Sequence, residues 1–405
     1  MADGYDNLYT MPVGTLGIIG MRGCEHLAAS VDNYIHGWRR EMASGPQSLS
    51  NGYLRDSYLI GTQCPRFGTG EAKALITETI RGYDLYIIAD VFNHGVTYRM
   101  YGQDVPMSPD DHFQDLKRII GAAAGKARRI TVIMTMLYEG RQHRRSARES
   151  LDCAIALQEL VNMGVENLIT FDAHDPRVQN AIPLAGFENV QPNYQFIKAM
   201  VRDIPDIEFD PAHMMIISPD EGAMSRSIYY SSVLNLDLGM FYKRRDYSRV
   251  ENGKNPIVAH MFLGDNVEGK DVIIVEDMIA SGDSMLDVIA QLKSRQARRI
   301  FVCPTFGLFC EGLERFDEAY ANGMFDGLFT TNLIYRSPEL LSRPWYHEVD
   351  MSKYIAYIVN ILNHDTSISH ILNPSQRIAQ LLEHHELDLL RRAKQSLTQT
   401  AKTDR

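Results

Sequence analysis

The chain has 405 residues, more than one ordinary core accommodates and comfortable for two domains. With 45% hydrophobic and 23% charged residues its composition is that of an ordinary globular protein, and a formal net charge of −10 excludes a nucleic-acid surface built on bulk charge. Five scattered cysteines (Cys24, Cys64, Cys153, Cys303, Cys310) form no Cys-x-x-Cys pair, which argues against disulfides and structural zinc and for a reducing compartment.

In chain order, 16–20 reads as a strand leading into a helix that carries Leu27, Val31, Tyr34, Ile35 and Trp38 on one face. Further strands are predicted at 85–89, 130–135, 168–171, 214–218, 238–242, 272–275, 300–303 and 327–330, with helices at 113–124, 150–163 and 284–293. This alternation argues for an α/β fold of mainly parallel sheets flanked by helices, with sites at the carboxyl ends of strands. Residues 95–109, with their Gly, Pro and polar content, read as a surface insertion, and the chain from Ser375 as an amphipathic helix with a frayed polar tail. The domain join is predicted between Gly186 and Tyr194, giving domains 1–192 and 193–350 and a helical extension, 351–405, packing back on the first. The first residues show no basic stretch ahead of an apolar core and no span suits a membrane, so the expectation is a cytoplasmic protein with neither membrane nor nucleic acid as partner.

Five segments carry chemistry. The first is Val272-Ile273-Ile274-Val275-Glu276-Asp277-Met278-Ile279-Ala280-Ser281-Gly282-Asp283-Ser284: an apolar run, two adjacent carboxylates, a small loop and a helical pattern. Carboxylates there can accept hydrogen bonds from vicinal ribose hydroxyls, while loop amides and the hydroxyls of Ser281 and Ser284 wrap a phosphate at the helix start. The second, Ser218-Pro219-Asp220-Glu221-Gly222, puts Asp220 just past a strand, with Arg226 following. The third, Phe171-Asp172-Ala173-His174-Asp175, puts an imidazole and two carboxylates at another strand end, a donor set suited to a divalent metal carrying phosphate oxygens or, equally, to hydrogen-bonded structural residues and helix caps. The fourth and fifth, Arg141-Gln142-His143-Arg144-Arg145 and Lys243-Arg244-Arg245, are cationic runs that directly follow predicted strands in an acidic chain, where guanidinium and ammonium groups can grip phosphate.

Taken together and in the same order from Leu16 to Asn332, these segments resemble the ribose-phosphate diphosphokinase (phosphoribosyl-diphosphate synthetase) family. The resemblance implies two phosphoribosyltransferase-like domains and the conversion of ribose 5-phosphate and ATP to phosphoribosyl diphosphate and AMP with Mg2+. It also implies a homo-oligomer, dimer-based and up to a hexamer. It assigns ribose 5-phosphate to Glu276, Asp277, Ser281, Gly282 and Ser284, the metal to His174 and Asp220, and catalysis to Lys243 and Arg245. For ATP it implies Arg141, Gln142 and Arg144, with Phe67 stacking on adenine and Glu71 accepting its amino group, often across a subunit boundary.

The chain departs from the family pattern at Ala280, usually aspartate, at Asp283, usually a small residue, at Thr69, and at His143, usually acidic. Asp283 could cap the following helix or crowd the sugar phosphate. The shifted charge keeps open a diphosphokinase acting on a different ribose-containing phosphate. A non-catalytic regulatory homologue has little reason to keep Lys243, Arg245, His174 and Asp220 together. A transferase that consumes the diphosphate does not explain the two cationic segments.

Overall fold

The computed structural model describes residues 10–245 and 257–403, without the side chains of 243–245, 257–260, 370, 393 and 396–403. It divides into two units: one holds the chain up to Pro192 with Asn332–Ser337 and Asp350–Leu372, the other Asn193–Thr331, Pro338–Val349 and the chain from Asn373.

Unit one runs through β1 (Thr15–Gly20), α1 (Glu25–Glu41), the paired β2 (Thr62–Gln63) and β3 (Leu75–Ile76), and β4 (Tyr83–Ala89). There follow the hairpin β5 (Thr97–Met100) and β6 (Gln103–Pro106), α2 (Pro109–Ala123), β7 (Arg129–Met134), α3 (Asp152–Asn162), β8 (Asn167–Phe171) and β9 (Gly186–Val190). The main sheet is parallel, in the order β1-β4-β7-β8-β9, each new strand added on the same side. Apart from the edge strand β9, its strands are mainly apolar because helices cover the sheet; β4 is buried from Asp84 to Ala89. Helix α2 starts earlier than its apolar period predicts, since Ser108 and Asp111 form a reciprocal capping box and Pro109 takes the first helical position. The insertion at 95–109 is the β5–β6 hairpin with the start of α2, and β9 lies within the expected domain join.

Unit two starts with α4 (Asn193–Asp203), β10 (Met214–Ser218), α5 (Met224–Leu234), β11 (Asp237–Arg245) and β12 (Ile257–Leu263). It continues through β13 (Asp271–Ile279), α6 (Asp283–Ser294), β14 (Ile300–Gly307), α7 (Glu314–Ala321), β15 (Gly327–Thr331), α8 (Pro338–Leu341) and β16 (Tyr346–Val349). The sheet order is β12-β11-β10-β13-β14-β15-β16, parallel except for the β11–β12 pair. The chain moves outward from β10 to β11 and then resumes at β13 on the other side of β10. Strand order therefore reverses between β10 and β13, the place where open α/β sheets open a crevice at their carboxyl ends.

After β16 the chain returns to unit one with α9 (Ser352–Asn363) and α10 (Ser369–Leu372), then ends in unit two with α11 (Ser375–Thr403). The tail is thus two pieces rather than one extension packed on the first domain. Helix α9 lies on α1, where Trp38 stacks on Tyr357 at 4.3 Å between ring centres. Buried Arg39 donates to Asn360 Oδ1 (3.1 Å) and Asn363 Oδ1 (2.6 Å) and lies over the rings of Tyr53 and Tyr58. Fully buried Asp84 accepts a fork from Arg129 (2.7 and 2.8 Å) and a bond from Asn363 Nδ2 (2.8 Å). These satisfied polar groups tie the returning helix to the sheet. Helix α11 instead lies against α4 and α5, and His385 bonds the Ile207 carbonyl at 2.7 Å.

Candidate active site

In unit two the β10 and β13 ends lie side by side, with Ile217 paired to Ile274. Asp220 follows β10. Its Oδ1 accepts the amides of Gly222 (2.9 Å) and Ala223 (3.3 Å), and its carbonyl accepts Ser218 Oγ (2.8 Å), a turn that launches α5. The first turns of α5 carry Arg226, whose Nη1 stands 3.8 Å from Glu276 Oε1. Glu276 and Asp277 lie inside β13, and Asp277 is 4% exposed. Burial, and then the negative charge of Asp277, hold the Glu276 carboxyl well above its ordinary range, with Arg226 acting against them. A buried and a partly buried carboxylate with one guanidinium at that distance suit ribose hydroxyls or a cation.

The loop after β13 is short because Gly282 adopts φ +90°, a conformation that favours glycine. A Cβ there would lie 2.5 Å from the Phe316 ring, so the backbone also needs glycine for close approach. The first amides of α6 follow at once and have no carbonyl partners within the helix, an anion cradle at the positive end of its dipole. Asp283 neither caps α6 nor is left as bare negative charge beside the cradle. It pairs with Arg315 and accepts Ser281 Oγ at 2.9 Å, and those two partners, Arg315 first, pull its carboxyl below the usual range.

In unit one the loops after the neighbouring strands β7 and β8 meet. Tyr138 stacks on Phe113 (4.3 Å between ring centres) and donates to Asp110 Oδ1 (2.6 Å). Glu139 sits at φ +53°, turning the chain so that Arg141 is exposed, while Gln142 Nε2 donates to the Ser150 carbonyl (3.2 Å) and Arg144 is exposed. His174 is exposed after β8, and the amide of Ala173 donates to Asn189 Oδ1 (2.9 Å). The rings of His143 and His174 lie 5.4 Å apart. Asp175 is gripped by Arg177, which lowers its carboxyl to about 2.

Phe67, 56% exposed, sits at the tip of a tight turn in which its amide donates to the Glu71 carbonyl (2.7 Å). Arg66 anchors that turn to Asp115 of α2 (2.9 Å) and lies over Tyr98 of β5, so α2 buttresses both this turn and the Arg141 loop.

The structure thus brings Asp220, Arg226, Glu276 and Asp277 together in unit two, and Arg141, Gln142, His143 and His174 together in unit one. His174 and Asp220 follow strands of different sheets, not neighbouring strands of one. Lys243 and Arg245 lie in the β11–β12 ladder, opposite His260 and Ile257 with a bulge before Arg245, and their side chains lie outside the described residues. Sequence reasoning missed Arg177 and Arg315; the first has the local signal Asp-Pro-Arg, and the second, 32 positions beyond Asp283, has none. Among the described residues, Glu208 and His213, both exposed, and half-buried Asp210 of unit two also gather ligand atoms within 4.8 Å of one another. No helix of the described residues is long and apolar enough to cross a membrane, and the five cysteines are thiols.

Comparisons with known proteins agree with this geometry. Residues 16–164 match the N-terminal domain of ribose phosphate pyrophosphokinase, and residues 194–308 match a phosphoribosyl transferase domain. The ribose-phosphate pyrophosphokinase of Vibrio parahaemolyticus is 27% identical over 313 residues, 76% of this chain and 90% of that protein. The corresponding protein of Shewanella oneidensis is 28% identical over 309 residues, 75% and 88% of the two chains. In fold, the phosphoribosylpyrophosphate synthetase of Mycobacterium smegmatis superposes with a TM-score of 0.69 at 16% identity, covering 87% of this chain and 99% of that one. With its two matched domains, its ordered motifs and its strand-end acid pair, the chain belongs to the ribose-phosphate pyrophosphokinase family.

Proposed function

We infer that the chain transfers the diphosphoryl group of ATP to the anomeric hydroxyl of ribose 5-phosphate, yielding phosphoribosyl diphosphate and AMP. The observation that carries this reading is the unit-two crevice: buried Asp277 and partly buried Glu276 beside a helix-start anion cradle, at the point where strand order reverses. Glu276 and Asp277 accept the sugar's vicinal hydroxyls. The amides around Gly282, with Ser281 and Ser284, take its 5-phosphate. The sugar oxygen then attacks the β-phosphorus in line, and the bond to the α,β-bridging oxygen breaks as AMP leaves.

Arg141, Gln142 and Arg144 grip the triphosphate, Phe67 stacks on adenine and Glu71 accepts its amino group. Lys243 and Arg245 meet the charge that builds on the transferring group. His174 in unit one, and Asp220 with Glu276 and Asp277 in unit two, are donor types that fit a divalent cation. Mg2+ held by such donors would supply charge neutralisation on the phosphates. The exposed Phe67 turn supports a nucleotide site completed by a second copy, hence a homo-oligomer, and the unpaired thiols support a cytoplasmic setting.

The test is incubation of pure protein with Mg2+, ATP and a panel of ribose-containing phosphates, with AMP and the diphosphorylated sugar measured together. Equimolar AMP and phosphoribosyl diphosphate from ribose 5-phosphate is the expected result. ADP as the nucleotide product, or no product with bound substrates, rejects the reading. Faster turnover with another ribose-containing phosphate would move the acceptor assignment, tracing it to the Asp283–Arg315 pair on the loop.

A further inference from the structure

We infer that His143 supplies a second imidazole nitrogen to the cation site at His174, so that unit one binds nitrogen-preferring cations such as Co2+ or Ni2+ more tightly than a site of oxygen donors would. This rests on the reading of His174 as a cation residue. The two rings lie 5.4 Å apart with planes inclined at 56°. Two imidazoles sharing one cation, each nitrogen about 2.0–2.2 Å from it, hold their ring centres roughly 5–6 Å apart. The pair therefore already has a ligand spacing.

His143 is also prepared for the role. Its side chain is 14% exposed, and its Nδ1 is buried without a hydrogen-bond partner, a condition that native interiors rarely leave unmet. Its Nε2 stands 3.5 Å from Asp175 Oδ2. That carboxylate is held in place by Arg177, whose Nε reaches Oδ1 at 2.9 Å and whose Nη2 reaches Oδ2 at 2.5 Å. A carboxylate standing beside one ring nitrogen fixes how the imidazole is turned, as the outer partners of metal-binding histidines do. Arg177, Asp175 and His143 thus form a chain whose last member ends in an unused donor. Where the family pattern has an acidic residue, a nitrogen replaces an oxygen. Mg2+ keeps oxygen ligands, whereas affinity for imidazole rises along the first-row metals through Co2+ and Ni2+.

The test uses full-length protein carrying His213→Ala, which takes the imidazole out of the Glu208–Asp210–His213 group, with Co2+ as probe. Calorimetry gives the affinity, and X-ray absorption at the cobalt edge counts the imidazoles. The expected result is two imidazoles in this parent and one after His143→Ala, with Co2+ binding weakened roughly ten- to a hundredfold. Mg2+ binding should change by less than about threefold. His143→Gln, which keeps bulk without an imidazole, repeats the comparison should the alanine variant unfold. Unchanged Co2+ affinity in the variant, or parent-bound Co2+ without two imidazoles, overturns the inference. AMP release by the parent with Mg2+ is scored separately: an active parent lacking the second imidazole sinks this inference alone, and an inactive parent sinks the diphosphokinase reading whatever the count.

Discussion

Glu276 shows what a poorly solvated carboxyl beside a second one costs a fold. Its carboxyl is raised by burial and by Asp277, so ionising it costs the folded state more than the unfolded one. The unfavourable contribution is absent below the ordinary glutamate range and grows as pH rises through and above it. Glu276→Gln should therefore unfold at a higher temperature than the parent at pH 8, with the difference shrinking toward pH 4, as calorimetry would measure. The same variant should lose roughly ten- to a hundredfold in affinity for ribose 5-phosphate, the worth of one hydrogen bond to a charged acceptor. A variant that is no more stable at pH 8 would mean that Arg226 already offsets the charge. The acid pair was legible in the sequence because two adjacent carboxylates close an apolar run ahead of a small-residue loop and a helical pattern. Arg315 was not, because its bond to Asp283 exists only once α7 has packed near the start of α6.

Among the elements, the loop from β13 to α6 has the least latitude. Gly282 combines a positive φ with a ring where a side chain would begin. Gly282→Ala should cost about 1–3 kcal/mol in urea unfolding and raise the KM for sugar phosphate more than that for ATP. An equal rise in both constants would detach the loop from the sugar site. The buried strands were readable because their cores are short apolar runs; β10 and β14 are buried from end to end. The edge strands β9 and β16 were not. Glu188 and Asn189 in β9, and His347 and Glu348 in β16, break the apolar pattern at sheet edges. Strand β12 escaped for a different reason: it is paired antiparallel to β11, outside the alternation of strand and helix that guided the reading.

For the molecule as a whole, the decisive variant is Lys243→Ala. With the fold held by cores away from β11's end, thermal unfolding should be nearly unchanged, while turnover falls a hundredfold or more, about 3–4 kcal/mol of lost transition-state stabilisation. Wild-type turnover in a folded variant would remove Lys243 from the chemistry. The tail follows a path that composition could not foretell, since the amphipathic pattern of α9 states that one face is buried without naming the surface that buries it. A fragment ending at Pro192 should lack a cooperative melting transition and regain one when a peptide of 350–372 is added; a fragment that melts cooperatively alone would show that α9 is dispensable.

The route of α9 also has a consequence for biosynthesis. Arg39, Asp84 and Trp38 emerge from the ribosome early, yet the asparagines and the tyrosine that complete their surroundings are translated near the end. At about 5–20 residues per second, the nascent amino-terminal half waits on the order of ten seconds or more with an open flank. During that interval it is a natural client for a holding chaperone, and a stalled message would leave it half-built.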